Sequence, residues 1–216
     1  MYLPAHFRED SREAQDAFIR AHPLGLLVSH GPEGLAADLV PFCLYADEGE
    51  RGVLRAHVAR ANPQWRILAD APECLVVFQG PDAYIRPGWY ATKRQTEKVV
   101  PTWNYVTVHV RGRARVIADR DWLWRQLHDL THAQEHGKPA PWKPTDAPAE
   151  FLEAQMKAIV GLEIPIARVE GKWKMSQNRD EADRQGVVAG LRSEPGVNHA
   201  AVADLVAARG AKRAQT

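Results

Sequence analysis

Between residues 99 and 116 the sequence VVPTWNYVTVHVRGRARV alternates in character with a period of two. Asn104, Val106, Val108, Val110, Gly112, Ala114 and Val116 fall on one side of an extended chain. Trp103, Tyr105, Thr107, His109, Arg111, Arg113 and Arg115 fall on the other. A strand turns successive side chains to opposite faces, so the small and apolar set reads as a core face of one long strand. The opposite face is aromatic at one end and basic at the other, which an ordinary exposed face rarely is.

The same pattern divides the rest of the chain. Asp10 and Ser11 open a short helix, with Glu13 placed as in a capping box, and Pro23 ends it. LGLLVSH (24–30) and LAADLVPFCLY (35–45) read as two strands joined by the turn GPEG into a hairpin. VLRAHV (53–58) is a third strand after the turn DEGERG. ANPQWRILADAP (61–72) is a short helix with Asn62 as N-cap and Pro63 at its first position. CLVVFQG (74–80) and AYIRP (83–87) are strands, followed by the loop WYATKRQTEKVVPT. Helices are expected over 119–136 and over 147–161, the second closed by Gly161, with Pro139, Pro141 and Pro144 in the connector between them. LEIPIARVEGKWKM (162–175) returns to strand periodicity. The remainder reads as helical, with a frayed tail after Arg209.

About six strands at hairpin spacing, with helices inserted and no βαβ alternation, predict an α+β protein: an antiparallel sheet or barrel with peripheral helices. The division expected is a main domain over 1–191 and a C-terminal helical extension and tail over 192–216.

Composition narrows the class. The chain has 216 residues, 45% hydrophobic and 25% charged, ordinary for a globular protein, and its net charge of +1 demands neither nucleic acid nor an anionic membrane. Cys43 and Cys74 form no CxxC pair and read as small core residues, without a disulfide scaffold. MYLPAHFRED lacks a basic segment followed by an apolar run, and no stretch approaches the ~20 apolar residues of a membrane span. The expectation is a cytoplasmic protein with no membrane partner.

Several chemistries leave no motif. There is no GxGxxG after a strand, no GxxxxGK[ST], no GxSxG and no HExxH. His128, His132 and His136 recur at helical spacing, which reads as a polar helix face and not as a metal site, since a third type of ligand is missing. In HVARANP (57–63), His57 ends a strand, Arg60 follows, and a helix starts at Asn62. A helix N-terminus with an adjacent arginine suits a phosphate, and it equally describes a capped helix beside a surface arginine. In GKWKMSQNR (171–179), Lys172 and Lys174 share one strand face, and Ser176, Gln177 and Asn178 follow in a row. That cluster suits a polyhydroxylated chain or a heterocycle rim, and equally a helix cap.

HVARANPQW, VPTWNYVTVHVRG, PWKP and GKWKMSQNR, in this order, resemble the PaiB family of FMN-binding negative transcriptional regulators, from YLPAHF to about Leu191. The resemblance implies a split β-barrel related to the pyridoxamine-phosphate oxidase and flavin-reductase-like fold, a homodimer, and FMN at the dimer interface. It implies a phosphate site at His57, Arg60 and Asn62, with Arg60 the leading ligand and Lys93 a second cation. Pro101, Thr102, Trp103 and Asn104 would border the flavin ring or ribityl chain from the partner subunit, with Ser176, Gln177 and Asn178 completing the site.

Two functions follow from it. One is a regulator that uses FMN structurally or as a sensor, with Arg111, Arg113 and Arg115 making weak DNA contacts or a partner regulator supplying them. The other is an FMN-dependent oxidoreductase, because fold alone does not decide function. The sequence shows no helix-turn-helix with a basic recognition helix, and no acid–base pair.

Overall fold

The structure is a computed structural model describing residues 1–71 and 73–213, with side chains through residue 210. Its described residues form nine strands: β1 (Arg8–Glu9), β2 (Leu24–Gly31), β3 (Gly34–Pro41), β4 (Cys43–Tyr45), β5 (Val53–Ala59), β6 (Cys74–Ile85), β7 (Thr102–Gly112), β8 (Arg115–Ile117) and β9 (Ile159–Lys174). Seven α-helices accompany them: α1 (Arg12–Ala21), α2 (Gln64–Asp70), α3 (Ala91–Thr96), α4 (Arg120–Glu135), α5 (Ala149–Lys157), α6 (Glu181–Ser193) and α7 (His199–Arg213). The strand order is β3-β2-β6-β7-β9-β5-β4, with β1 and β8 pairing to β9. This is the antiparallel α+β architecture that the periodicity predicts.

The chain forms two compact units. One comprises Arg12–Phe78 and His109–Val169. There β2 and β3 form the expected hairpin, running from Leu24↔Pro41 to Gly31↔Gly34. The turn closes on Gly34 at φ 105°, a conformation that favours glycine. β5 pairs with β9 in the register Ala56↔Leu162, and β3 also lies against β5, so the strand path curls back on itself. Leu27, Leu54, Val76, Phe78, Val110, Leu162 and Ile164 fill the interior. Asp119 caps α4 by accepting the Trp122 N–H at 2.7 Å.

The other unit comprises Met1–Ser11, Gln79–Val108 and the chain from Glu170 onward. Here β1 pairs with the end of β9 through Arg8↔Lys172. α6 and α7 pack together and bury Val187, Leu191, Val202 and Val206. Gly190 lets α6 approach Trp89: a Cβ there would lie 2.4 Å from the indole. Ile85, Tyr90, Val106, Val108 and Met175 complete this core.

Several boundaries differ from the sequence reading. The stretch 35–45 is two strands, because the Phe42 N–H turns to the Pro23 carbonyl at 2.9 Å. The Phe42 ring meets Phe78 edge-on at 5.8 Å, and the chain passes from pairing with β2 to pairing with β5. Residues 74–85 are one strand, carried through Gly80–Pro81 without a break. The long strand of 99–116 starts at Thr102 and stops at Gly112, after which β8 pairs separately with β9. A Cβ at Gly112 would sit 2.3 Å from the Pro165 carbonyl oxygen, so the backbones touch there. Gly161 does not close α5, which ends at Lys157. It lies within β9 against the Trp122 ring, where a Cβ would come within 2.3 Å. The loop 89–101 contains α3. Beyond Arg209 the chain stays helical to Arg213, and the rest of the expected frayed tail lies outside the described residues.

Candidate functional site

The sequence-predicted site residues fall into two groups, one in each unit. His57, Arg60 and Asn62 belong to the unit built on β5 and α2. β5 carries His57 to a hydrogen-bonding distance of 2.7 Å between Nδ1 and the Gln126 Oε1 of α4. At Arg60 the chain leaves the sheet. Its Nε donates to the Lys157 carbonyl (2.9 Å) and its Nη2 to the Ile159 carbonyl (3.0 Å), so the guanidinium is held against the start of β9. The group stays exposed, with Nη1 outside these two bonds. α2 starts one residue later than the sequence reading, with Pro63 as its N-cap; Asn62, just before it, accepts the Gln64 N–H on Oδ1 at 2.8 Å, and its Nδ2 donates to Asp38 at 2.8 Å. Asn62 thus braces the turn into the helix, and the Arg60 guanidinium stays exposed beside it.

The second group lies where β7 begins and β9 ends. Asn104 is fully buried on the face that the alternation assigns to the core. The chain reverses at Ser176, whose φ of 60° is a left-handed conformation that costs a non-glycine residue about 1 kcal/mol or more. The reversal aims the Ser176 hydroxyl at Asn104. Asn104 Nδ2 donates to Ser176 Oγ at 3.0 Å, and Ser176 donates back to Oδ1 at 3.3 Å. Gln177 is turned inward as well, accepting the Met175 N–H and donating to the Trp173 carbonyl. Thr102 is half-buried, while Trp103 is 53% exposed and meets Tyr84 edge-on at 5.9 Å. Asn178 and Lys93, the latter in α3, are both exposed.

The structure adds a residue that the sequence reading left out of the site. Lys174, half-buried at the end of β9, donates from Nζ to Thr102 Oγ1 and to the Trp103 carbonyl. Burial, then the charges of Lys172 and Arg179, hold its ammonium below the usual lysine range. Lys172 is buried, donates to the Tyr2 carbonyl at 3.1 Å, and lies over the Tyr105 ring at 5.2 Å. The sequence places both lysines on one strand face. Their burial depends on β1 and the first residues of the chain, which local pattern does not show.

The other candidate chemistry is used structurally. Arg111 pairs with Glu73 at 3.1 Å and Arg115 with Glu163 at 3.5 Å, while Arg113 is exposed. Cys43 and Cys74 are free. Of the three histidines at helical spacing, His132 and His136 meet with their rings tilted at 46° and centroids 5.0 Å apart. Among the described residues no cluster of three or more histidine, cysteine or acidic side chains is disposed to hold a metal ion. No described helix is long and apolar enough to cross a membrane.

A flavin mononucleotide presents one anionic group, a polyol chain and a planar heterocycle. In the unit built on β5 and α2, Arg60 offers a cationic N–H group of the kind the anion needs; in the other unit, taken by itself, Lys174 offers a cationic N–H group and Trp103 an exposed aromatic face.

A family model described as "Putative FMN-binding domain" matches residues 1–168. An uncharacterized protein of Emericella nidulans is 34% identical over 245 residues, covering 97% of this chain and 98% of that protein. The Bacillus subtilis protein named "Protease synthase and sporulation protein PAI 2" is 31% identical over 206 residues, covering 95% of this chain and 96% of that one. Among solved structures, the flavocytochrome Anf3 of Azotobacter vinelandii superposes with a TM-score of 0.60 at 17% identity, covering 83% of this chain and 75% of that one. The "FAD and Heme binding protein" of Mycobacterium smegmatis gives 0.59 at 20% identity, covering 85% and 80%. These two show the fold. On the family match and the relatives together, the chain belongs to the PaiB-like family of FMN-binding-domain proteins, built as a split β-barrel.

Proposed function

We propose that this protein binds FMN at the interface of a homodimer and acts as a flavin-carrying negative regulator of transcription in the cytoplasm. The observation that carries the flavin is the family match over residues 1–168. The geometry supports FMN in particular, because the exposed Arg60 guanidinium suits a phosphate and the sequence has no dinucleotide fingerprint. When bound, FMN supplies redox chemistry at its ring system. The chain's own residues bind and orient: Arg60 sits locked on two carbonyls with one nitrogen left to reach an anion, and Gln126 fixes the His57 ring. Asn104 and Ser176 hold each other in a single arrangement.

The exposed Trp103–Tyr84 pair supports the dimer, since aromatic side chains are enriched at the buried centres of interfaces. The Bacillus relative's name, which links it to protease synthesis and sporulation, supports regulation. The pairing of Arg111 and Arg115 with acids leaves a small basic footprint, so any DNA association of this protein alone is weak and salt-sensitive. Two free cysteines accord with a reducing compartment.

Purified protein reconstituted with FMN should release about one equivalent of FMN per subunit on denaturation, and light scattering at micromolar concentration should give a dimer mass. A protein that takes up no flavin sinks the proposal. Repeated bleaching of bound flavin by NADH or NADPH, together with no binding to promoter DNA at low salt, replaces the regulator with an oxidoreductase.

A further inference from the structure

Lys174 poses an electrostatic problem that the described residues do not solve. A partly buried ammonium normally lies against a carboxylate, because desolvation penalises the isolated charge. Lys174 has only neutral acceptors, the Thr102 hydroxyl and the Trp103 carbonyl. The three buried or half-buried acids nearest to it in the sequence and the fold are engaged elsewhere. Glu9 takes Arg209, Glu170 takes the N-terminal ammonium, and Asp183 takes the Thr92 N–H and hydroxyl and lies 3.9 Å from Arg179. Two further cations, Lys172 and Arg179, lie close enough to disfavour the Lys174 charge. Lys172 is itself satisfied by the Tyr2 carbonyl and by the faces of Tyr2 and Tyr105, again without a carboxylate among the described residues.

Arg179 has Asp183 at 3.9 Å, but the two lysines are gathered beside it with neutral acceptors alone, and an anion is the partner that such a place lacks. The surroundings narrow the anion. Thr102 and Trp103 occupy two of the three Lys174 donors, so one N–H remains for a ligand oxygen. Trp103, bonded to the lysine through its own carbonyl, is 53% exposed beside Tyr84 and gives an aromatic wall for a planar group. The left-handed turn at Ser176 closes the same chain end and is itself a strained feature of the kind that clusters at ligand sites.

We propose that Lys174, held by Thr102 and Trp103, is an anion-binding residue that takes the phosphate or carboxylate of a small ligand with a planar ring. The ligand is either FMN itself, through its phosphate, or a second anionic ligand bound alongside the flavin. The inference deepens the flavin reading in the first case and is independent of it in the second.

Calorimetric titrations of the full chain with inorganic phosphate, FMN and riboflavin separate the cases, the phosphate titration being run with and without saturating FMN. Lys174→Met should lose binding about tenfold or more, and Lys174→Arg should stay within about threefold of the parent, as a charge-assisted hydrogen bond requires. If FMN weakens and riboflavin does not, Lys174 holds the flavin phosphate. If FMN is unchanged while the FMN-loaded parent binds phosphate and the variant does not, the anion belongs to a second ligand. Lys174→Gln, which keeps donors toward Thr102 and Trp103, serves if the Met variant does not fold. Phosphate and FMN titrations that are the same for parent, Met and Gln variants overturn the inference. A parent that binds phosphate through Lys174 but takes up no flavin leaves it standing and removes only the flavin reading.

Discussion

Asn104 and Ser176 are 72 residues apart in the chain and hydrogen-bond each other in both directions, Nδ2 to Oγ at 3.0 Å and Oγ to Oδ1 at 3.3 Å. Both side chains are buried, so neither can exchange its partner for water. Asn104→Ala or Ser176→Ala should each destabilise by about 1–3 kcal/mol in urea unfolding. The double variant should lose about 1 kcal/mol less than the sum. Ser176→Gly should be milder than Ser176→Ala, because glycine adopts φ 60° without strain. Additive losses, or Gly worse than Ala, would contradict the coupling.

Gly112 and Gly161 are places where backbone or ring comes too close for a side chain. A Cβ would lie 2.3 Å from the Pro165 oxygen at Gly112 and 2.3 Å from the Trp122 ring at Gly161. Alanine at either should cost about 1–3 kcal/mol as overpacking, and more at Gly112, where the obstacle is backbone. Thermal unfolding midpoints give the comparison; unchanged midpoints would mean that the strands do not meet as closely.

Arg60 has a structural and a ligand role that two variants distinguish. Arg60→Ala frees the Lys157 and Ile159 carbonyls and should weaken FMN by about 1.5–3 kcal/mol in a fluorescence titration. Arg60→Lys keeps the charge and loses the two-carbonyl fork, so it should retain part of that affinity. Equal FMN affinity in all three proteins removes Arg60 from the phosphate site.

Burial, and then the charge of Glu73, push the Cys74 thiol up to about 12, and its Sγ donates to the Gly112 carbonyl at 3.2 Å. The folded state thus keeps its proton after the unfolded thiol, near pH 8.5, has lost one. The associated stability is complete below about pH 8.5 and falls as pH rises toward the folded value, by about 2 kcal/mol at pH 10. Cys43, pushed up to about 11 by burial and Asp129, acts in the same direction. Unfolding curves between pH 7 and 10 should show this loss, smaller in Cys74→Ala, and Cys74 should resist thiol reagents at pH 8 until the protein unfolds. Rapid labelling of native Cys74 would be the contrary result.

Local pattern alone determined the hairpin of β2 and β3, the buried face of Val106, Val108 and Val110, the helices α4 and α6, and the antiparallel class. These depend on near-neighbour physics: a period of two or 3.6, a capping aspartate, and glycine in a turn. The motif order carried the family in the same way.

Tertiary structure decided what local pattern cannot weigh. Phe42 breaks a strand because a distant carbonyl, that of Pro23, takes its N–H. Gly161 looks like a helix stop and serves instead as clearance for Trp122, 39 positions earlier in the sequence. The arginines of one strand face look like a basic patch until Glu73 and Glu163 meet two of them. Lys174 looks like a solvated strand residue until folding half-buries it with cations for neighbours and neutral acceptors for partners. In each case the deciding free energy belongs to a pair of groups far apart in the chain. Pairing, desolvation and contact arise only when the chain brings the two together.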